Sequence, residues 1–256
     1  MGTNAWAAAG GALRRSDRAR LTAQAVVAQL SMLPDRVRIL LGLTGPRSLG
    51  VTPADVRFPD STIALRASDH SRALSEPWLF NHCLRTYVWG ALLARANRIR
   101  FDEELFFVAC ALHDLGLTDA HRFVDPTSEC FAVEGARAAQ VFATSNGWND
   151  ERSDRMSEAI ALHLNVRVGL SHGAEAHLLH EGASMDVIGA RLREIPGDVV
   201  AGVLRDHPRL GFQDGLVTLF KEQARRRPRS RAAFLASVGF IGLIRASPLE
   251  RVARSA

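Results

Sequence analysis

Five residues of this 256-residue chain have the side-chain types and settings that metal-assisted chemistry needs: His82, the adjacent His113 and Asp114, His163 and Asp186. Each stands in an otherwise apolar, helix-patterned run, and burying an ionisable side chain costs free energy unless it is paired or binds a cation. The clearest case is Phe106-Phe107-Val108-Ala109-Cys110-Ala111-Leu112-His113-Asp114-Leu115-Gly116. A helix that is apolar nearly all round is buried, and Gly116 suits the left-handed residue that closes a helix. The doublet then sits in the last turn, aimed into a cavity. Taken singly, each residue has a structural reading: a hydrogen-bonded core histidine, a histidine on a helix dipole, or a buried acid with a partner. Taken jointly, several helices that each bury an imidazole or carboxylate are explained by one shared divalent cation. Such ligands suit zinc, iron, manganese or nickel rather than magnesium or calcium.

The elements that must position these residues are helical. Leu21, Val26, Val27, Leu30 and Leu33 recur at helical spacing, with Pro34 as the stop. Residues 1–20 lack periodicity and read as a flexible arm, and the Gly- and Pro-rich stretch from Thr44 to His70 reads as loop. Ser75-Glu76-Pro77 starts a helix through His82, Arg85 and Trp89 to about Arg98. Asp102 caps the next, Glu103 to Asp114; Ser128 opens a third that Asn146-Gly147 closes. Further helices are expected over Asp150–His163, Ala174–Leu192 with a pinch at Gly182, Val199–Asp206, Gly215–Arg226 and Ala232–Ile244. No run alternates with period two for long enough to build a sheet, so the fold class is all-α.

Composition excludes several function classes. The net charge is +5, but Lys221 is the only lysine and the arginines are scattered among acids, unlike a nucleic-acid footprint. Arg225, Arg226, Arg227, Arg229 and Arg231 read as a solvated helix end. Cys83, Cys110 and Cys130 form no CxxC, which excludes a disulfide framework and a zinc knuckle and fits a reducing cytoplasm. No leader or membrane span is expected.

In this order, an isolated His82, then His113-Asp114, then a distant Asp186 resemble the HD superfamily of metal-dependent hydrolases. Asn81-His82-Cys83-Leu84-Arg85-Thr86-Tyr87, Leu112-His113-Asp114-Leu115-Gly116-Leu117, Phe131-Ala132-Val133-Glu134-Gly135-Ala136, Ile160-Ala161-Leu162-His163 and Asp186-Val187-Ile188-Gly189 are similar to its cyanamide hydratase branch. The likeness covers about residues 56–192, and it implies a single all-α HD-type domain over residues 21–256. It also implies one divalent transition metal, zinc first and iron or manganese as alternatives, on His82, His113, Asp114 and Asp186. Water activated there would add to a small nitrile-type carbon, taking cyanamide to urea. His163, with Asp114, is the candidate for proton transfer; Arg85 and His172 are candidates to contact substrate. One departure is Ala132-Val133-Glu134 where the branch has Glu-Val-Asp, which removes the first acid's role or moves it to Glu134.

Two readings compete. One is an HD-type phosphohydrolase acting on a nucleotide or other small phosphate ester, with Arg85, Arg122 or Arg167 meeting the phosphate. The other is a helical module kept for partner binding. The expected partner is a small-molecule substrate, with no nucleic acid and no membrane; a homo-oligomer remains open. His177 and His180 could join a second metal, whereas His70, His121 and His207 read as loop histidines.

Overall fold

The computed structural model describes residues 3–40, 52, 56–124 and 130–255, which form helices and no strand. The helices are α1 Asn4–Ala8, α2 Arg15–Leu40, α3 Thr62–Leu74, α4 Pro77–Asn97, α5 Glu103–Leu112, α6 Phe131–Ser145, α7 Asp150–Leu162 and α8 Ala174–Ile188. They continue with α9 Gly197–Asp206, α10 Phe212–Arg226, α11 Arg231–Ser237, α12 Phe240–Arg245 and α13 Leu249–Ser255. No single helix among the described residues is long and apolar enough to cross a membrane.

Several starts are set by side chains that satisfy orphan backbone donors. The caps Ser61, Asp102, Asn149 and Ser230 accept from Ala64, Leu105, Arg152 and Ala233 N–H. Helix α4 differs from expectation: Glu76, not Ser75, is its cap residue and makes no side-chain cap bond, while Pro77 takes the first helical position. Ser128 lies outside the described residues.

Helix α5 is the axis of the larger core: every residue from Leu105 to Leu112 is buried, against apolar faces of α3, α4, α6, α7 and α8. A second core joins the start of α6 to α10, α11 and α12. The two are held by a close crossing of α4 and α8. A Cβ on Gly182 would fall 2.3 Å from the Thr86 carbonyl oxygen, and one on Gly90 would meet the Phe106 ring at 2.4 Å. The pinch expected at Gly182 is therefore a contact point inside a continuous helix, and α8 ends at Gly189, whose φ is 71°.

Four elements depart from the sequence reading. Residues expected as a flexible arm include α1, with Ala7 and Leu13 buried; Arg137 donates to the Ala7 carbonyl and Arg231 covers the Trp6 ring. Helix α2 runs through Pro34, and although Leu21 and Ala25 are buried, Val26, Leu30 and Leu33 are about half exposed. Helix α3, capped by Ser61, occupies what reads as loop, and His70 within it packs on Phe142. The run Ala232–Ile244 is broken into α11 and α12 at Gly239, whose φ of 90° suits glycine.

Gly182→Ala should lower stability by about 1–3 kcal/mol, because the added methyl presses on backbone rather than on a side chain that can turn away. Gly197→Ala, with open space around the new Cβ, should be neutral. Urea denaturation of the two variants checks the difference.

Candidate metal centre

Helix α5 ends at Leu112, two residues earlier than expected, and His113 and Asp114 follow it into a short 3-10 turn, Leu115–Leu117. Gly116 is not the left-handed cap that the sequence suggests. It is glycine because a Cβ there would fall on the Phe131 carbonyl at 1.9 Å, and Gly135 likewise lets the His113 carbonyl approach. Helix α6 thus lies directly on the doublet's backbone, and no neighbouring side chain could yield to make room.

The imidazoles are each anchored through Nδ1. His82 Nδ1 is 2.7 Å from Asp186 Oδ2, His113 Nδ1 is 2.8 Å from the Cys110 carbonyl and His163 Nδ1 is 2.6 Å from the Ile160 carbonyl. A carboxylate and two carbonyls can only accept, so each Nδ1 carries a proton and each ring turns its Nε2 away from its anchor, free to be a lone-pair donor in the neutral tautomer. His82 Nε2 and His113 Nε2 face each other at 3.3 Å, and Asp114 Oδ2 lies 3.5 Å and 3.3 Å from them. His163 Nε2 is 3.7 Å from Asp114 Oδ1. Lone pairs with no proton between them therefore converge in the interior, with side chains at most 7% exposed. A cation is what such a donor set lacks; one ligand atom each from His82, His113 and Asp114 lie within 4.8 Å of one another.

Burial pushes the His113 imidazole down, against partial support from Asp114, and pushes His163 well down with help from neighbouring His113. Both stay neutral at physiological pH, the state in which imidazole is a ligand or a proton acceptor.

Two of the expected site residues are placed otherwise. Asp186 stands on the far side of the His82 ring from Asp114. Its carboxylate accepts from His82 Nδ1, Arg85 Nε and Nη2 at 2.8 and 2.9 Å, Trp89 Nε1 at 3.0 Å and Arg209 Nη1 at 3.3 Å. Burial opposes its ionisation, but Arg85, Arg209 and His82 prevail and hold the carboxyl well below its usual range. It is spent on orienting His82, so it corrects the expectation of a fourth ligand. Arg85 is likewise not free for substrate: its remaining nitrogen donates to the His207 and Pro208 carbonyls, and the guanidinium is fully buried over Phe212.

The other candidates fall outside the cluster. His172 is exposed on a 3-10 turn. His177 bonds the Val168 carbonyl, while buried His180 donates through Nδ1 to the His163 carbonyl, backing the site. Glu134 forms a buried double ion pair with Arg227, at 2.6 Å for one bond, and so ties α6 to the end of α10. Arg227 and Arg231, read as solvated, are buried; Arg231 donates to the Ala161 carbonyl at the end of α7. The sequence reading missed Trp89, Arg209 and Phe212, whose ring stacks on His82 at 4.7 Å. Trp89 was within reach, since it follows His82 and Arg85 at helical spacing; nothing marks Arg209.

The chain matches the HD domain family over residues 79–206 and belongs to it. Within that class it is similar to the cyanamide hydratases DDI2 and DDI3 of Saccharomyces cerevisiae, 25% identical to each over 191 residues, which cover 73% of this chain and 81% of each relative.

Arg85→Met should destabilise the fold by about 3–5 kcal/mol, because it leaves Asp186 buried without its main counter-charge; chemical denaturation measures this. The metal-free chain should also lose stability as pH falls below 6.5, the ordinary histidine value. There the unfolded chain takes up protons that buried His113 and His163, with lowered values, refuse. Melting temperatures between pH 8 and 5.5 check the sign, and a flat profile would contradict it.

Proposed function

We propose that the chain is a metal-dependent hydratase that adds water to a small nitrile-type substrate, with cyanamide converted to urea as the specific reaction. The observation that carries the reading is the convergence of imidazole Nε2 atoms and the Asp114 carboxylate in the buried interior. Sequence similarity to two cyanamide hydratases supports the choice of substrate class.

His82, His113 and Asp114 hold the cation, zinc in this reading. A bound divalent metal supplies Lewis acidity and a water acidic enough to act as nucleophile near neutral pH. Asp186, neutralised by Arg85 and Arg209, keeps the Nδ1 proton on His82 and so keeps its Nε2 lone pair directed inward. His163 Nε2 accepts a proton from the attacking water as its oxygen bonds to the nitrile carbon, and the former nitrile nitrogen takes a proton in return. The product of that addition is isourea, which tautomerises to urea; one water is consumed and nothing is oxidised. Burial suits His163 to this work, because a neutral ring can accept before it donates. The same burial excludes bulky substrates and favours a small neutral one. The phosphohydrolase alternative loses its main cation, since Arg85 is committed to Asp186 and two backbone carbonyls.

The test combines metal analysis with a urea-forming assay on protein purified without chelators. Wild type should carry about one transition metal per chain. Asp114→Asn should lose metal and activity together with helical content intact. His163→Gln should keep the metal and lower turnover about 10²–10⁴-fold. Full activity in Asp114→Asn, or phosphate release without urea formation, would overturn the reading.

A further inference from the structure

A cavity lies on the opposite side of α4 from the metal centre. Its volume is about 600 Å³, within the range of small-molecule sites, and Tyr87, Ala91, Ile99 and Phe101 form part of its wall. Ala91 follows His82 by nine residues, about half a turn round the helix, and Arg95 lies about 20 Å along it. The cavity is therefore separate from the catalytic pocket and carries different chemistry.

Four arginines line it, Arg57, Arg95, Arg98 and Arg100, against one acid, Glu103. They come from separate segments: Arg57 precedes α3, Arg95 and Arg98 are at the end of α4, and Arg100 is in the link to α5. Arg57, Arg98 and Arg100 form no ion pair among the described residues, unlike the arginines around Asp186 and Glu134. Arg57 and the 95–100 stretch bring like charges to one concavity from two separate parts of the chain, where they repel. Arg98 is moreover held at φ 54°, a left-handed conformation that glycine would adopt without strain.

We propose that this cleft binds a phosphorylated small molecule with an aromatic body, of nucleotide size. Guanidinium groups match phosphate oxygens through paired N–H donors, the aromatic and aliphatic wall receives a flat ring, and Glu103 can accept from a hydroxyl or amino group on the ligand. A bare anion would use the arginines but neither the wall nor Glu103. A nucleic-acid backbone would be met by an open basic face rather than a cleft of this size.

The experiment titrates the metal-loaded full chain with adenosine 5′-monophosphate, adenosine and inorganic phosphate by calorimetry at low ionic strength. The monophosphate should bind more tightly than either fragment. The triple variant Arg57→Gln, Arg98→Gln, Arg100→Gln should weaken it at least about tenfold, and Asp114→Asn should leave it unchanged. Arg98→Gly alone removes one guanidinium while easing the backbone, so it should fold at least as well as wild type and still bind several-fold more weakly. No binding of the monophosphate, equal binding of adenosine or of phosphate, unchanged binding in both arginine variants, or loss only in Asp114→Asn would each overturn the proposal.

Discussion

Between α4 and α8 a carboxylate with no solvent exposure, Asp186, remains charged because Arg85, Arg209, Trp89 and His82 surround it with donors. An unpaired charge in that position would be too costly to keep. Paired, it converts burial into orientation, since the His82 ring can neither turn nor move its proton without breaking the 2.7 Å bond to Asp186. The ligand geometry follows, because His113 and Asp114 are presented to a nitrogen whose direction is already set. Arg85 extends the constraint by gripping the carbonyls of His207 and Pro208, so the link between α9 and α10 is fastened to the same carboxylate.

The backbone supplies a second constraint through glycines that act by absence. Gly182 and Gly90 let α4 and α8 approach closely enough for Asp186 to reach His82, while Gly116 and Gly135 let α6 rest on the turn that carries the doublet. Side-chain packing alone would hold these helices farther apart, and the hydrogen bonds at the site would lengthen beyond use. The glutamate of the Phe131–Ala136 segment serves a different end, locking Arg227, while its glycine serves the site.

These particulars explain what was legible in the sequence. His82, His113 and Asp114 could be read because ionisable residues in apolar helices have few alternatives to a shared partner. Asp186 could be read as buried and paired, but order along the chain does not say on which side of His82 it stands, and that decides between ligand and support. Arg85 was assigned to substrate because its position on the His82 face is visible, whereas the carbonyls that occupy it come from residues more than a hundred positions away. His172 follows His163 closely in sequence, yet its turn faces solvent. The all-α class followed from the lack of period-two runs, and the start of α5 from the Asp102 cap. The α3 helix and the burial of α1 did not, because both depend on distant surfaces, those of α5 for one and of Arg137 and Arg231 for the other.

The same helix, α4, thus serves two kinds of chemistry through two faces. On one, the buried Arg85 side chain is neutralised by a carboxylate and two carbonyls and so brings no free charge to the metal centre. On the other, exposed Arg57, Arg98 and Arg100 line a cleft without an ion pair among the described residues. Neutralisation and its lack are both achieved with arginine, and the difference is set by burial: a guanidinium at zero exposure must be paired to exist there, whereas one in contact with water can keep its charge for a ligand. The division also separates space, because the His82–His113–Asp114 cluster is buried in the interior whereas the cleft has a volume of about 600 Å³.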